Sequence, residues 1–205
     1  MTVEIFRQIL ASTDLEIGLA GTLAFLTGSR LDEIYRHTRD MYTIVTPTML
    51  SQKLRNLVKQ QHFFVAISTG RESKSAAADP DDLRFVDIAV LDKRQLAFLK
   101  TRLEYGTSTS PIFSRRHQLT AELKKHYMTD HSFKAGTALI LTEMVRDELI
   151  PQETIPLMLK HKSTVDPIQS VTSGYLGVTG RINMLQSKGT FDAAVHLRRI
   201  IFQDI

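Results

Sequence analysis

Between Leu159 and Gly177 the sequence runs LKHKSTVDPIQSVTSGYLG. It sets His161 and Ser163 just after an apolar helical run, and then Tyr175 in a segment holding Gly174 and Gly177. A phenol placed this way has two fates. It is a packed or solvated side chain like most tyrosines, or a nucleophile presented to a phosphodiester. Glycine neighbours permit unusual backbone angles, which suit a nucleophile that must engage and withdraw and equally suit a loop. The chain has five tyrosines; Tyr35, Tyr42, Tyr105 and Tyr127 stand in contexts that look like helix faces or turns, which leaves Tyr175 as the candidate. Cations also gather locally, as Arg115, Arg116 and His117; Lys124, Lys125 and His126; Lys160, His161 and Lys162; and Arg198 and Arg199. A solvated helix face explains any one of these clusters. Four of them in the second half of the chain fit a shared anionic partner better.

Composition narrows the chemistry. There is no cysteine in 205 residues, so disulfides, thiolate zinc sites and cysteine nucleophiles are excluded. A net charge of +4 permits a polyanionic partner without demanding one. The hydrophobic share of 42% and charged share of 23% are those of a soluble globular protein. No apolar run approaches the roughly 18 residues of a membrane span. Glu4 stands where a secretory signal would carry basic residues. The expectation is one domain over residues 1–205, cytoplasmic, with no membrane association.

The elements that must position these residues follow from patterning. The first forty residues read as helices. Asp14 can cap a helix through Leu15, Ile17, Leu19, Ala20, Leu23 and Leu26 that Gly28 stops, and a second starts near Ser29 with Leu31, Ile34 and Tyr35 on one side. Thr46-Pro47 opens a helix predicted to run from Pro47 to Gln60. HFFVAIST and LRFVDIAVL are short, β-branched and aromatic, and read as a hairpin around the polar tip SKSAAADPDD. Helical periodicity returns in LDKRQLAFLKTRL, from Pro111 to Tyr127, from Ser132 to Leu149, from Gln152 to Leu159 and from Phe191 to Phe202. The predicted class is α+β, mostly helical, with a small antiparallel sheet.

Four pieces, in this order, resemble the catalytic domain of the tyrosine recombinase (phage integrase) family. LAFLTGSRLDEI is similar to the first box, in which an arginine follows an apolar helix and a Thr-Gly turn. The strand pair flanking GRESKS resembles the hairpin that carries the family's catalytic lysine. HSFKAGTALIL resembles the second box, His-x-x-Arg at the start of a helix of small and aliphatic residues. LKHKS resembles the third, with Tyr175 downstream where the nucleophile is expected. The resemblance covers nearly the whole chain and rests on the order of the boxes more than on any single one. The departures are Lys134 in place of arginine, a longer interval from His161 to Tyr175, an apparent insertion holding the Pro47–Gln60 helix, and no separate N-terminal DNA-clamping domain.

The resemblance implies a set of roles. Tyr175 would attack phosphorus and form a 3′-phosphotyrosyl bond, conserving bond energy with no cofactor or metal. A phenol of pKa near 10 is weakly nucleophilic until a neighbour takes its proton; His131 or His161 could do so, or could hydrogen-bond the phosphate. Arg30 would be the first phosphate clamp and Lys134 a second without the planar fork. Lys74 would be the acid for the leaving 5′-oxygen. Arg71, Arg115, Arg116, Lys124, Lys125, Lys160 and Lys162 would contact double-stranded DNA. The C-terminal helix, which reads by itself as a core helix, would dock into a neighbour to form a homo-oligomer, a tetramer, on DNA.

Two functions remain open from the sequence. One is a site-specific recombinase or integrase of a mobile element. The other is a recombinase-fold DNA-binding protein that has lost catalysis and serves in regulation or partitioning; Lys134 and the long interval before Tyr175 favour it. Another arginine reaching the phosphate, Arg146 or Arg181 for example, would restore the first. A helical interaction protein with no nucleic-acid role is the third possibility.

Overall fold

A helix that is apolar on every side can be stable only in the middle of a protein. LEIGLAGTLAFLT, helix α2 (Leu15–Thr27), is such a helix, and every residue from Glu16 to Thr27 is buried. Asp14 caps it, accepting from the backbone N–H groups of Glu16 (3.0 Å) and Ile17 (3.1 Å). Gly28 ends it in the left-handed conformation (φ 59°), with Gly28 N–H donating to Phe25 O and Ser29 N–H to Ala24 O. The computed structural model describes residues 3–12, 14–59, 64–68, 83–87, 93–159, 182 and 189–202.

Around α2 pack α1 (Val3–Leu10), the short α3 (Leu31–Ile34), α5 (Lys93–Tyr105), α6 (Arg116–Lys125) and α7 (Ser132–Arg146). Glycine sets the closest approach. A Cβ at Gly136 of α7 would lie 2.6 Å from the ring of Phe6, which itself sits 4.9 Å from the Phe25 ring centroid. The small residues of KAGTA are therefore what lets α7 lie against α1 and α2. Helix α8 (Thr154–Leu159) follows and packs on α7.

The hairpin is present as β2 (Phe64–Ser68) and β3 (Leu83–Asp87), paired antiparallel from Phe64 opposite Asp87 to Ser68 opposite Leu83. A further strand, β1 (Tyr42–Val45), pairs antiparallel with β2, making a three-stranded sheet in the order β1-β2-β3. The sheet is buried on two faces, and strand alternation sorts them. Val65, Ile67 and Val86 join the helical core around α2. Phe64, Ala66 and Phe85 join a second cluster with Val45, Leu54 of α4 (Gln52–Lys59) and Phe191 of α9 (Thr190–Phe202). The chain is thus α+β and mostly helical, as its patterning predicts.

Three boundaries differ from expectation. The Pro47–Gln60 helix is a 3₁₀ turn (Pro47–Met49) followed by α4, because Leu50 between them is extended (φ −105°, ψ 152°). The helix predicted from Pro111 begins only at Arg116; Ile112 and Phe113 before it are buried in non-helical chain, and Ile112 N–H donates to His37 O at 2.8 Å. Helix α7 stops at Arg146 rather than Leu149, since Glu148 is left-handed (φ 57°).

Candidate functional site

The turn Thr27-Gly28-Ser29-Arg30, between α2 and α3, is the centre of the candidate site. Its first support is local. Arg30 precedes α3, and its backbone N–H donates to Glu33 Oε2 at 3.0 Å. A guanidinium has no acceptor to return the bond, so the Glu33 carboxylate makes the side-chain tie, beside backbone bonds from Glu33 N–H and Ile34 N–H to Arg30 O. The side chain of Arg30 is half-buried, and its Nε is buried without a hydrogen-bond partner among the described residues.

Its second support comes from the sheet. Arg84 of β3 lies only 2% exposed, and its Nη1 donates both to the carbonyl of Thr27 and to the hydroxyl of Ser29, each at 2.7 Å. The Thr27 hydroxyl faces Ser29 Oγ at 2.8 Å. Arg84 shares its strand face with Val86, so an arginine stands where the alternation calls for an aliphatic. That misplaced charge in LRFVD is the signal the sequence carries for it.

Lys134, in the first turn of α7, donates from Nζ to the carbonyl of Leu159 at 2.7 Å. This bond joins the start of α7 to the end of α8. The same two elements meet the end of α2 at Gly28, where a Cβ would lie 2.7 Å from Leu159 Cδ2 and 3.4 Å from Thr137 Cγ2. Thr137 donates to Phe25 O at 2.5 Å, closing α7 onto the end of α2. Burial lowers the Lys134 pKa from the ordinary lysine value; Arg84 and Arg30 lower it further, and Glu33 opposes them. Arg84 is bonded to the turn that precedes Arg30, and Lys134 is bonded to Leu159, which closes on Gly28 of the same turn, so the three cations lie in one neighbourhood. Cationic side chains gathered in this way are chemically suited to holding an anion.

The other sequence candidates are distributed as follows. His131 is exposed at the residue before α7, one turn ahead of Lys134, and its side chain makes no capping bond. Arg115 pairs with Asp14, Arg116 with Asp130 at 2.8 Å, and Lys125 with Glu122 at 2.7 Å. Lys124 is exposed with no carboxylate partner among the described residues. Arg146 is at the far end of α7 and pairs with Asp147, so it is not the arginine that accompanies Arg30. Arg84 is. Lys74, Arg71, Lys160, His161, Lys162, Tyr175 and Arg181 lie outside the described residues.

Two of the remaining tyrosines are buried: Tyr42, whose hydroxyl is 3.0 Å from His37 Nδ1, and Tyr35, whose phenol burial holds far above its ordinary pKa, with Glu16 and Asp14 adding to the effect. Neither is poised as a nucleophile. Among the described residues no helix is long and apolar enough to cross a membrane. Compared with protein-family models, curated proteins and solved structures, the chain matches none.

Proposed function

We propose that the chain binds duplex DNA and cleaves and rejoins a strand through a 3′-phosphotyrosyl intermediate at Tyr175, in the manner of a tyrosine recombinase. The observation that carries this reading is the convergence of Arg30, Arg84 and Lys134 at the turn between α2 and α3. Arg30 offers the scissile phosphate a guanidinium whose Nε has no hydrogen-bond partner among the described residues. Arg84 is a positioning residue that fixes the turn and adds charge from behind. Lys134, anchored to the end of α8, supplies the third cation, and the sequence places His161 two residues beyond Leu159.

The chemistry balances without an external co-reactant. The Tyr175 hydroxyl attacks phosphorus, losing its proton to His131 or His161, while the P–O5′ bond breaks and Lys74 protonates the leaving oxygen. In the return step the 5′-hydroxyl attacks and the phenol is released. Cations fixed around the non-bridging oxygens stabilise charge that grows in the transition state. Assembly into a homo-oligomer, a tetramer, on DNA through the C-terminal helix α9 belongs to the same proposal.

A second reading, a DNA-binding relative without catalysis, draws on the bond from Lys134 to Leu159, which commits that amine to the protein. Nicked duplexes drawn from the locus that encodes the chain separate the two. A denaturant-stable DNA adduct, formed by the parent and lost in Tyr175→Phe, is the recombinase result. Salt-sensitive binding with no adduct on any duplex is the result expected of the second reading.

A further inference from the structure

Tyr127 is 99% exposed, and it is one of only two non-glycine residues with positive φ among those described (φ 56°). It follows α6. Its N–H donates to Lys124 O at 3.1 Å, and Met128 N–H donates to Leu123 O at 2.9 Å. This is the helix-ending arrangement whose left-handed position normally belongs to glycine, as Gly28 shows at the end of α2. A tyrosine there strains the backbone and, fully exposed, regains nothing by burial. Folding of the isolated chain does not explain the residue.

Its surroundings do. Lys124, Lys125 and His126 precede it, with Arg116 and His117 at the other end of the same helix. The neighbouring carboxylates are few and engaged: Glu122 with Lys125 and, at 3.9 Å, His126; Asp130 with Arg116. The connection after Tyr127 leads directly into the first turn of α7, which carries Lys134. Chain geometry limits the Tyr127–Lys134 separation to roughly 19 Å, about six base pairs of B-DNA.

We propose that Tyr127 is a DNA contact, its ring held out by the strained turn to pack into a groove of the duplex between phosphates neutralised by Lys124 and Lys125. Surface cations beside an exposed aromatic combine phosphate attraction with a groove contact by the ring. The proposal rests on the DNA-binding reading above and extends it to a surface outside the catalytic cluster.

The test sets stability against binding. Tyr127→Gly removes the strain and is expected to raise Tm by about 2–4 °C. The same change should weaken affinity for a fluorescent duplex about tenfold, with the salt dependence of binding retained. Tyr127→Phe should bind as the parent does. Unchanged affinity in Tyr127→Gly overturns the proposal while leaving the DNA-binding reading intact, as does a lowered Tm, which would give the ring a role inside the chain. A concentration-dependent mass that only Tyr127→Gly abolishes, without change in DNA affinity, overturns it in favour of a second copy of the chain. A parent that shows no salt-dependent DNA binding overturns both.

Discussion

The guanidinium of Arg84 and the hydroxyl of Ser29, fifty-five positions apart in the chain, meet at 2.7 Å in the interior. This bond and the equal one to Thr27 O attach the sheet to the turn that presents Arg30. A positively charged group is costly to bury unless its donors are satisfied, so its presence marks a place where charge matters more than core packing.

Arg84→Ala is therefore expected to destabilise the fold by about 2–4 kcal/mol, from the cavity and from the acceptors left without a donor. Urea unfolding reads it as a lower midpoint at constant slope. A loss below about 0.5 kcal/mol, the scale of an unremarkable surface change, would show that the turn holds itself.

Gly28 carries two constraints at once, its left-handed backbone and the 2.7 Å approach of Leu159. Gly28→Ala should cost at least about 1 kcal/mol. Because part of that cost is the collision with Leu159, the double change Gly28→Ala with Leu159→Ala should be less destabilising than the sum of the two. Strict additivity would mean that the approach is relieved without effort.

The pKa of Lys134 is lowered in the folded protein. The sign follows from linkage. Below its folded pKa the lysine is charged in both states and burial opposes folding in full. As pH rises from the folded towards the unfolded pKa, the unfolded chain binds more protons, and stability increases. Stability measured relative to Lys134→Met should then rise with pH in that window, and the rise should shrink when Arg84 is also replaced by Met. A flat difference across alkaline pH would mean that Lys134 is an ordinary solvated amine.

Helix α9 is seated in its own chain. Phe191 stacks on Phe85 with centroids 4.3 Å apart and meets Phe64 edge-on at 4.9 Å; Arg198 lies 3.7 Å from the fully buried carboxylate of Asp87. Phe191→Ala should cost about 3–5 kcal/mol, and a chain truncated after residue 188 should lose its cooperative unfolding transition. A truncated chain that still unfolds cooperatively, and is deficient only in assembly on DNA, would point instead to a helix exchanged between subunits.

Much of the fold was legible because its signals are local. Asp14 and Gly28 bracket α2, and the β-branched run at 64–68 marks the central strand. What escaped were features settled by distant partners. The segment Tyr42–Val45 is made wholly of β-branched and aromatic residues, but it is only four residues long, and it becomes a strand because β2 offers an edge. Pro47 suggested one helix where the chain makes two, since burial of Leu50 straightens the backbone between them. In the candidate site, Arg30 and Lys134 were recognised from their boxes. Arg84 was missed because an arginine in a strand looks like a solvated edge residue until the opposite face of the sheet is known to be covered.

The most direct test is the salt dependence of DNA affinity for the parent and for Arg30→Gln combined with Lys134→Gln, with Arg146→Gln as a control at the far end of α7. If these cations hold a phosphate, the double variant binds more weakly and its log–log slope against salt becomes shallower by about 1–2, close to the 0.9 lost per phosphate contact, while Arg146→Gln changes little. An unchanged slope in the double variant would contradict a phosphate site at the turn between α2 and α3.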